Sequence, residues 1–309
     1  MKTHESRFTL HFYSSPMSSP MPTISLSRLH AYRAQTYRAA PGLRLASLED
    51  AVRFVNQRGF VLFWPNKGVE LPSLWAAVAG NRPVADEHDD PAHVTWGWKD
   101  DSLGLKRWYY GRIIKHRNAM ISLEVMPFFY ALSPNYGEPE EDYLFQYEQG
   151  QLRPEAKWVY EALLHEGPLD TLSLRKAAHL SSNTSDGRFN RALDDLQMEF
   201  KILPIGIAPV GPWRYAFIYE CTHRHHPELF TQVTDRAISE IMARQKIAEL
   251  YFNSVGAARL SEMARLFLWR LSDAQKVIET LLASGLIRPA AHPQFNKEDW
   301  FALPVTLED

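Results

Sequence analysis

Apolar residues follow helical spacing over two stretches in the second half of the chain. In residues 155–166 they return every three or four positions as far as Gly167, which is typical of an amphipathic helix ended by glycine. Further helices are predicted over 171–179 and up to residue 200. Two strands are predicted next, over 202–208 and 213–220, with Gly211-Pro212 between them. Helix, helix, helix and hairpin is the order of a winged helix, whose third helix enters a DNA groove.

The same pattern recurs 89 positions later. Gly167 maps to Gly256, and apolar positions such as Phe189 and Leu193 map to Ile278 and Leu282. A repeated structural unit is the simplest explanation of such a match. A helix over about 235–254 is predicted to connect the two copies.

The first third of the chain predicts a further unit. Ser47 is a suitable N-cap for a helix that ends near Gly59, because two acidic residues follow it in the first turn. The apolar run 60–64 predicts a strand. A hairpin is predicted from strands 107–114 and 119–126, joined by a loop at 115–118.

These elements predict a helix-rich α+β fold of tandem winged-helix (helix-turn-helix) modules with β-hairpin wings. Serine, proline and threonine dominate the start of the chain, and proline, glycine and acids dominate residues 133–142. The predicted boundaries are a disordered tail at 1–25, an N-terminal winged-helix-like module with a hairpin at 26–135, a linker at 136–150, a central winged helix at 151–230, and a connecting helix with a C-terminal winged-helix-like module at 231–309.

Composition limits the partners and the compartment. Lys and Arg total 34 against 36 Asp and Glu, a net charge of −2, so any surface for a polyanion has to be a local patch. The single cysteine, Cys221, excludes an intramolecular disulfide and fits a reducing, cytoplasmic location. The chain has no run near the ~20 apolar residues of a membrane helix, so no membrane partner is expected.

The third helix of the central unit carries one candidate DNA-binding face. Arg188, Asn190 and Arg191 lie on its predicted exposed side, and these residue types contact phosphates and base edges. The alternative is a solvated helix face on which Arg191 pairs with Asp195.

The densest basic region lies around the predicted hairpin of the N-terminal unit. Tryptophan and tyrosine residues at 108–110 interleave with it, which suits a distorted or single-stranded nucleic acid. The positive charge has no balancing acids nearby in the sequence, and DNA contact is therefore favoured over a plain charged turn. Its basic members are Lys106, Arg107, Arg112, Lys115, His116 and Arg117.

Three other clusters invite functional interpretations. Five tryptophans in the first 110 residues, among them Trp64 and Trp75, suit either a base-holding pocket or an ordinary core. The acidic loop 86–93 and the group Cys221, His223, His225 and His226 contain metal-ligand residue types. Neither has a recognised ligand spacing, so no metal is predicted.

The residues HEGPLD at 165–170, the helices and hairpin that follow, and the second unit from Val255 resemble the AlkZ/YcaQ type of tandem winged-helix proteins. Those proteins are bacterial DNA glycosylases that excise alkylated purines and unhook interstrand crosslinks. The resemblance spans roughly residues 27–304. It implies three winged-helix modules around a channel for double-stranded DNA, and it implies no metal or organic cofactor.

The family has a Gln-x-Asp or Gln-x-Gln catalytic motif just after a Gly-Phe-Val segment. In this chain Gly-Phe-Val is followed by Leu-Phe-Trp, so the two catalytic positions are Leu62 and Trp64. A second family segment, Tyr-Trp-x-His-Glu, aligns with residues 95–99. Trp96 matches there, whereas Trp98 and Lys99 replace the histidine and the glutamate.

These replacements predict that the family reaction fails at this site, because glycosidic cleavage needs a group that positions water and negative charge that stabilises the transition state. If an activity survives, Lys99, Glu70 or Asp100 are the polar groups that could supply it. Three hypotheses follow: a glycosylase-like protein that binds damaged or distorted duplex, a non-catalytic transcriptional regulator or structural DNA-binding protein, and a protein–protein adaptor.

Overall fold

The computed structural model describes residues 21–308, apart from the side chains of residues 296–298. Within this range the fold is a helix-rich α+β arrangement with three small antiparallel sheets of three strands each. The predicted α+β class is therefore confirmed. Three units use the same order of elements: a helix that ends at a glycine, a short strand, two helices and a hairpin.

The first unit follows the N-terminal helix α1 (Leu26–Thr36). Ser47 caps its first long helix as predicted: its hydroxyl accepts from the Asp50 amide, and the Asp50 carboxylate accepts from the Ser47 amide. The strand that follows the helix pairs with the second strand of the hairpin. The elements are α2 (Leu48–Arg58), β1 (Phe60–Leu62), α3 (Leu74–Ala79), α4 (Val94–Ser102), β2 (Tyr109–Ile114) and β3 (Arg117–Ile121).

Two short helices, α5 (Met126–Tyr130) and α6 (Pro139–Glu148), lead to the second unit. The predicted linker at 136–150 is therefore largely helical. Pro139 is the first residue of α6 and three acids fill its first turn, and both features stabilise a helix N-terminus. Proline, glycine and acids thus mark the start of a helix here.

The second unit lies close to its predicted bounds. Its hairpin strand β6 starts at Ala216, so Trp213 belongs to the turn region and not to the strand as predicted. The elements are α7 (Pro154–Glu166), β4 (Leu169–Asp170), α8 (Thr171–Ala177), α9 (Asp186–Met198), β5 (Ile202–Ala208) and β6 (Ala216–Cys221), followed by the short helices α10 (Thr222–His225) and α11 (Glu228–Asp235).

The third unit confirms the repeat at 89 positions, since helix α8 starts at Thr171 and its counterpart α13 starts at Leu260. Helix α12 corresponds to α7 and has seven buried residues, so it is the first helix of this unit and more than a connector. The elements are α12 (Glu240–Val255), β7 (Ala257–Arg259), α13 (Leu260–Phe267), α14 (Leu271–Ala283), β8 (Arg288–His292) and β9 (Phe295–Ala302).

A glycine with positive φ ends the first helix of every unit: Gly59 at +79°, Gly167 at +82° and Gly256 at +78°. This backbone conformation favours glycine, which lacks a Cβ atom. At Gly59 a Cβ would also lie 2.7 Å from Leu250 Cδ1 of the third unit. The glycine therefore allows both the turn into β1 and close packing between the units.

The sheet of the first unit joins two hydrophobic cores, because alternate residues of a strand face opposite sides. Phe60 and Leu62 of β1 belong to a central core shared with the third unit, whereas Val61 and Phe63 belong to the core of the first unit. A separate core fills the second unit. The first and third units are thus packed as one body, and the end of β1 lies near the point where the units meet.

Most of the predicted disordered tail, residues 1–20, lies outside the described residues. The end of that tail is hydrogen-bonded: the Ile24 amide donates to the Ala291 carbonyl, and the Ser25 amide donates to the Thr306 carbonyl. Ile24 is completely buried against the third unit. None of the helices in residues 21–308 has the length and hydrophobicity needed to cross a bilayer.

Candidate nucleic-acid interface

The hairpin of the first unit presents its basic residues at a tight turn. The predicted four-residue loop is shorter in the structure, because only Lys115 and His116 form the turn and Arg117 already belongs to β3. Both turn residues have positive φ, at +49° and +57°. Arg117 and His116 are exposed, whereas Lys115 is half-buried.

Lys115 lies where depressions from all three units come together. It lines hollows of about 580 Å³, 620 Å³ and 300 Å³. The first of these, which we name the central depression, also contains the family catalytic position Trp64. Its lining residues are Trp64, Asn66, Arg112, Lys115, His116, Arg117, Asn118 and Asp194.

Counter-charges neutralise part of the predicted basic region. Arg112 forms an ion pair with Asp194 of α9, and Arg107 lies 3.6 Å from the carboxylate of Glu49. The expectation that this charge is unbalanced is therefore wrong for these two residues, because their partners are distant in the sequence. Within residues 21–308, Lys115 and Arg117 have no carboxylate within 4.0 Å. Lys106 is exposed and lies outside the lining of the central depression.

Helix α9 presents its predicted polar face to solvent. Arg188, Asn190 and Arg191 are all exposed, and Arg188 pairs with Glu155 at 3.3 Å. The alternative partner predicted for Arg191 is engaged elsewhere, since Asp195 lies 3.4 Å from Arg153. The two arginines are outside the central depression, whereas Asn190 lines a neighbouring slot beside Arg112.

The two family catalytic positions have different surroundings. Leu62 is fully buried in the central core, where no substrate can reach it. Trp64 is half-buried and packs edge-on against Trp96, with ring centroids 5.8 Å apart. It also contacts Trp75 in a tilted arrangement, with centroids 6.1 Å apart. Neither Leu62 nor Trp64 has a side chain that can accept a proton from an attacking water or carry negative charge. The nearby Asn66 amide donates to the Trp64 carbonyl.

On the other side of Trp96, Lys99 lies in a cage of aromatic rings. Its ammonium is fully buried and forms a 2.8 Å ion pair with Asp100 and a 2.7 Å hydrogen bond to the Tyr215 hydroxyl. Tyr215 in turn donates to Asp100 at 2.9 Å. Five rings surround the Nζ atom at 4.7–5.8 Å from their centroids: Phe63, Trp96, Tyr110, Tyr215 and Phe217.

Burial lowers the pKa of Lys99, and the hydrogen bond that Lys99 donates to Asp100 opposes that shift. The ion pair and the ring faces both stabilise the charged form. The cage therefore holds a cation and fastens the second hairpin to the first unit. Sequence reasoning chose Lys99, Trp96 and Trp98 but missed Tyr215, which is 116 positions away from Lys99.

The other polar candidates are paired. Glu70 forms a 2.6 Å ion pair with Arg33, and the Asp100 carboxylate is shared between Lys99 and Tyr215. Glu70 lines the 300 Å³ hollow together with Lys115, so it lies nearer to the meeting point of the units. Both carboxylates thus serve the fold through these contacts.

The clusters with metal-ligand residue types are dispersed or engaged. Cys221 is buried, and burial raises the pKa of its thiol to about 12. In the acidic loop, Asp90 pairs with Arg82 at 2.6 Å. Within residues 21–308, histidine, cysteine and carboxylate side chains form no group of three or more that could hold a metal ion.

Comparisons with known proteins agree with this architecture. Among solved structures, the chain is similar to the DNA glycosylase AlkZ of Streptomyces sahachiroi, with a TM-score of 0.54 and 12% identity, over 91% of this chain and 70% of that one. This likeness shows a shared fold. No curated protein matches the chain. Residues 45–267, well over half of the chain, match the family model described as AlkZ related, and the protein therefore belongs to the AlkZ-related family.

Proposed function

We propose that the chain binds double-stranded DNA across the central depression and does not carry out base excision at the family's catalytic position. The observation that supports it most directly is the convergence of Lys115, Arg117 and Trp64 on one hollow, which the first unit shares with Asp194 of the second. The structural neighbour is a DNA glycosylase by name, which makes DNA the expected ligand class. Damaged or distorted duplex is the proposed substrate, and the proposed location is the cytoplasm, beside the nucleoid.

The element order supports an interpretation of the three units as winged helices. In each unit the sheet has the same order, with the strand before the second helix paired to the last strand of the hairpin. In this geometry α9 is the recognition helix and β5–β6 is the wing. Arg188, Asn190 and Arg191 are then the proposed contacts to phosphates and base edges of the duplex.

The loss of catalysis follows from the surroundings of the two motif positions. Leu62 is buried in the core, and the Trp64 ring is held by other tryptophans. Hydrolysis of an N-glycosidic bond needs a positioned water and stabilisation of the positive charge that develops on the sugar. A non-catalytic regulator or structural DNA-binding protein is therefore the second candidate, and the same observation favours it.

Salt-dependent binding to a duplex tests the DNA surface. The double variant Lys115→Ala/Arg117→Ala should bind about ten- to thirtyfold more weakly at ~150 mM salt, and its slope of log affinity against log salt should fall by about 2. A matched control is Arg53→Ala/Arg236→Ala, which removes two exposed cations outside the lining of the central depression. Equal effects of the two double variants would contradict the proposed interface, and flat salt dependence would favour a protein–protein adaptor.

Base excision is tested separately. The protein is incubated with alkylated and with crosslinked duplex, and alkali then reveals abasic sites as strand breaks. We expect no breaks above the level without protein. Excision that persists in the Trp64→Ala variant would show that other residues have taken over the chemistry, and excision by the wild type would refute the loss of activity.

A further inference from the structure

A second hollow, which we name the hairpin slot, lies between the hairpin of the first unit and the wing of the second. Its volume is about 260 Å³, and it opens beside the central depression, since Arg112 and Asn118 line both. Helix α9 contributes Asn190 to its lining. No element of the AlkZ-type motif lies in the slot, because Leu62 and Trp64 are not among its lining residues.

Aromatic rings form one side of the hairpin slot. Tyr110, Tyr215 and Phe217 line it, and Phe217 lies 5.7 Å from Tyr215 and 6.3 Å from Tyr110 between ring centroids. The same three rings contact the buried ammonium of Lys99. A cation fixed by Asp100 thus holds these rings in place, which makes the wall rigid before any ligand arrives.

Trp213 forms the mouth of the slot at the end of the wing. Trp213 is 89% exposed, although tryptophan residues are mostly buried in folded proteins. It directly follows Gly211-Pro212. The neighbouring Leu172 is also exposed. An exposed tryptophan beside a ring-lined slot is a stacking surface without an occupant in the described part of the chain.

The polar lining of the slot suits a neutral, hydrogen-bonding ring. Within residues 21–308, the side-chain amides of Asn118 and Asn190 have no hydrogen-bond partner, although both line the slot. No carboxylate lines it, and the guanidinium of Arg112 at its edge is paired with Asp194. Carboxamides pair with the edges of bases, adenine above all, and aromatic faces stack on any base.

We propose that the hairpin slot binds one unstacked nucleobase of a DNA strand, stacked on Trp213 and hydrogen-bonded by Asn190 and Asn118. This inference rests on the proposed function, because the strand that supplies the base crosses the adjacent central depression. The volume lies slightly below the ~300 Å³ at which small-molecule sites begin, so it suits one base better than a larger ligand.

Two duplexes of the same length test the proposal, one fully paired and one with a single unpaired 2-aminopurine. The wild type should bind the second about tenfold more tightly and quench its fluorescence, because stacking on Trp213 stabilises the unpaired base. The Trp213→Ala variant should lose most of this preference and of the quenching while its affinity for the paired duplex changes less than twofold. Trp158→Ala is the matched control, since Trp158 is 42% exposed on α7 and outside the slot.

The outcomes separate the two proposals. Equal affinity of the wild type for both duplexes, or equal behaviour of the two tryptophan variants, would overturn the slot while leaving duplex binding intact. If only Lys115→Ala/Arg117→Ala loses binding to both duplexes, this would support duplex binding at the central depression whatever the result for the hairpin slot. No binding of either duplex by the wild type would refute the proposed function and the slot together. Because Trp213 lies at an exposed turn, its replacement should leave the far-ultraviolet circular dichroism unchanged.

Discussion

Two buried lysines hold the second unit against the rest of the chain, and their surroundings differ. At the hairpin junction, Lys99 has a carboxylate at 2.8 Å, a hydroxyl at 2.7 Å and five rings around it. At the loop junction, Lys201 donates to Asn135 Oδ1 at 2.9 Å, and the nearest carboxylate, Glu199, is 4.0 Å away. Both lysine side chains are only 1% exposed.

The difference shows that equal burial has unequal electrostatic consequences. Burial lowers the pKa of both lysines. At the loop junction, burial also raises the pKa of the carboxylate partner Glu199 to about 7. The Glu199 Oε2 atom is buried without a hydrogen bond in the described part of the chain. The hairpin junction thus contains a hydrogen-bonded ion pair. The loop junction contains a buried carboxylate whose protonation should affect stability.

The largest expected effect is the removal of the caged cation. Lys99→Met should lower the free energy of unfolding by about 3 kcal/mol, because it leaves Asp100 without its ammonium and the five rings without their centre. Urea denaturation measures the change. Lys157→Met is the control, since Lys157 pairs with Glu161 at 2.6 Å on a partly exposed helix face and should cost under ~0.5 kcal/mol. Similar losses for both would show that the cage adds no stability.

A smaller loss is expected when the ring is kept and only the hydroxyl is removed. Tyr215→Phe deletes the oxygen that accepts from Lys99 and donates to Asp100. We expect a loss of about 2 kcal/mol, as for hydrogen bonds to charged groups, with less change in DNA binding than for Trp213→Ala. Thermal unfolding of this variant measures the loss. Tyr219→Phe is the control, because in the described residues the Tyr219 hydroxyl lacks the pair of charged partners that Tyr215 has. Equal losses would assign the effect to packing.

Protonation of Glu199 at the loop junction should stabilise the fold, which is the opposite of what is expected for a carboxylate whose pKa is lowered by folding. The pKa of Glu199 is about 7 in the fold and near 4.5 when the chain is unfolded. The unfolded chain therefore releases this proton first, and stability should fall as pH rises from about 4.5 to 7 and then level off. Glu199→Gln should flatten this fall by about 1–2 kcal/mol, measured by urea denaturation at pH 5 and pH 8. An unchanged pH profile would exclude Glu199 as its source.

Local patterns predicted those features whose causes are local. The Ser47 cap and the glycine ends of the helices depend on residues within one turn of chain, and the repeat of 89 positions is visible in the spacing of apolar residues along the chain. Helix α6 was missed because its N-terminal proline and acids have the same composition as a linker. The general α+β fold could therefore be predicted from the sequence.

The candidate site depends on contacts that no local pattern contains. Asp194 neutralises Arg112 from 82 positions away, and Tyr215 completes the cage of Lys99 from 116 positions away. The hydrophobic pattern of β6 predicted a strand. It did not predict that the neighbouring Tyr215 would contact Lys99 and Asp100 of α4. Charge balance and cage formation are properties of the packed units, so the sequence predicted a basic hairpin without acidic partners.

The smallest expected effect comes from a solvent-exposed ion pair within the second unit, between the start of α7 and α9. Arg153 lies 3.4 Å from Asp195 and is 52% exposed, so water screens the attraction. Arg153→Ala should change stability by less than ~0.5 kcal/mol, because Asp195 can then pair with Arg191 one helical turn away. Urea denaturation at low and high salt tests this, and both should give the same small difference. A loss near that of Lys99→Met would mean that an exposed ion pair stabilises this fold as strongly as a buried one, and would contradict the importance of burial at Lys99.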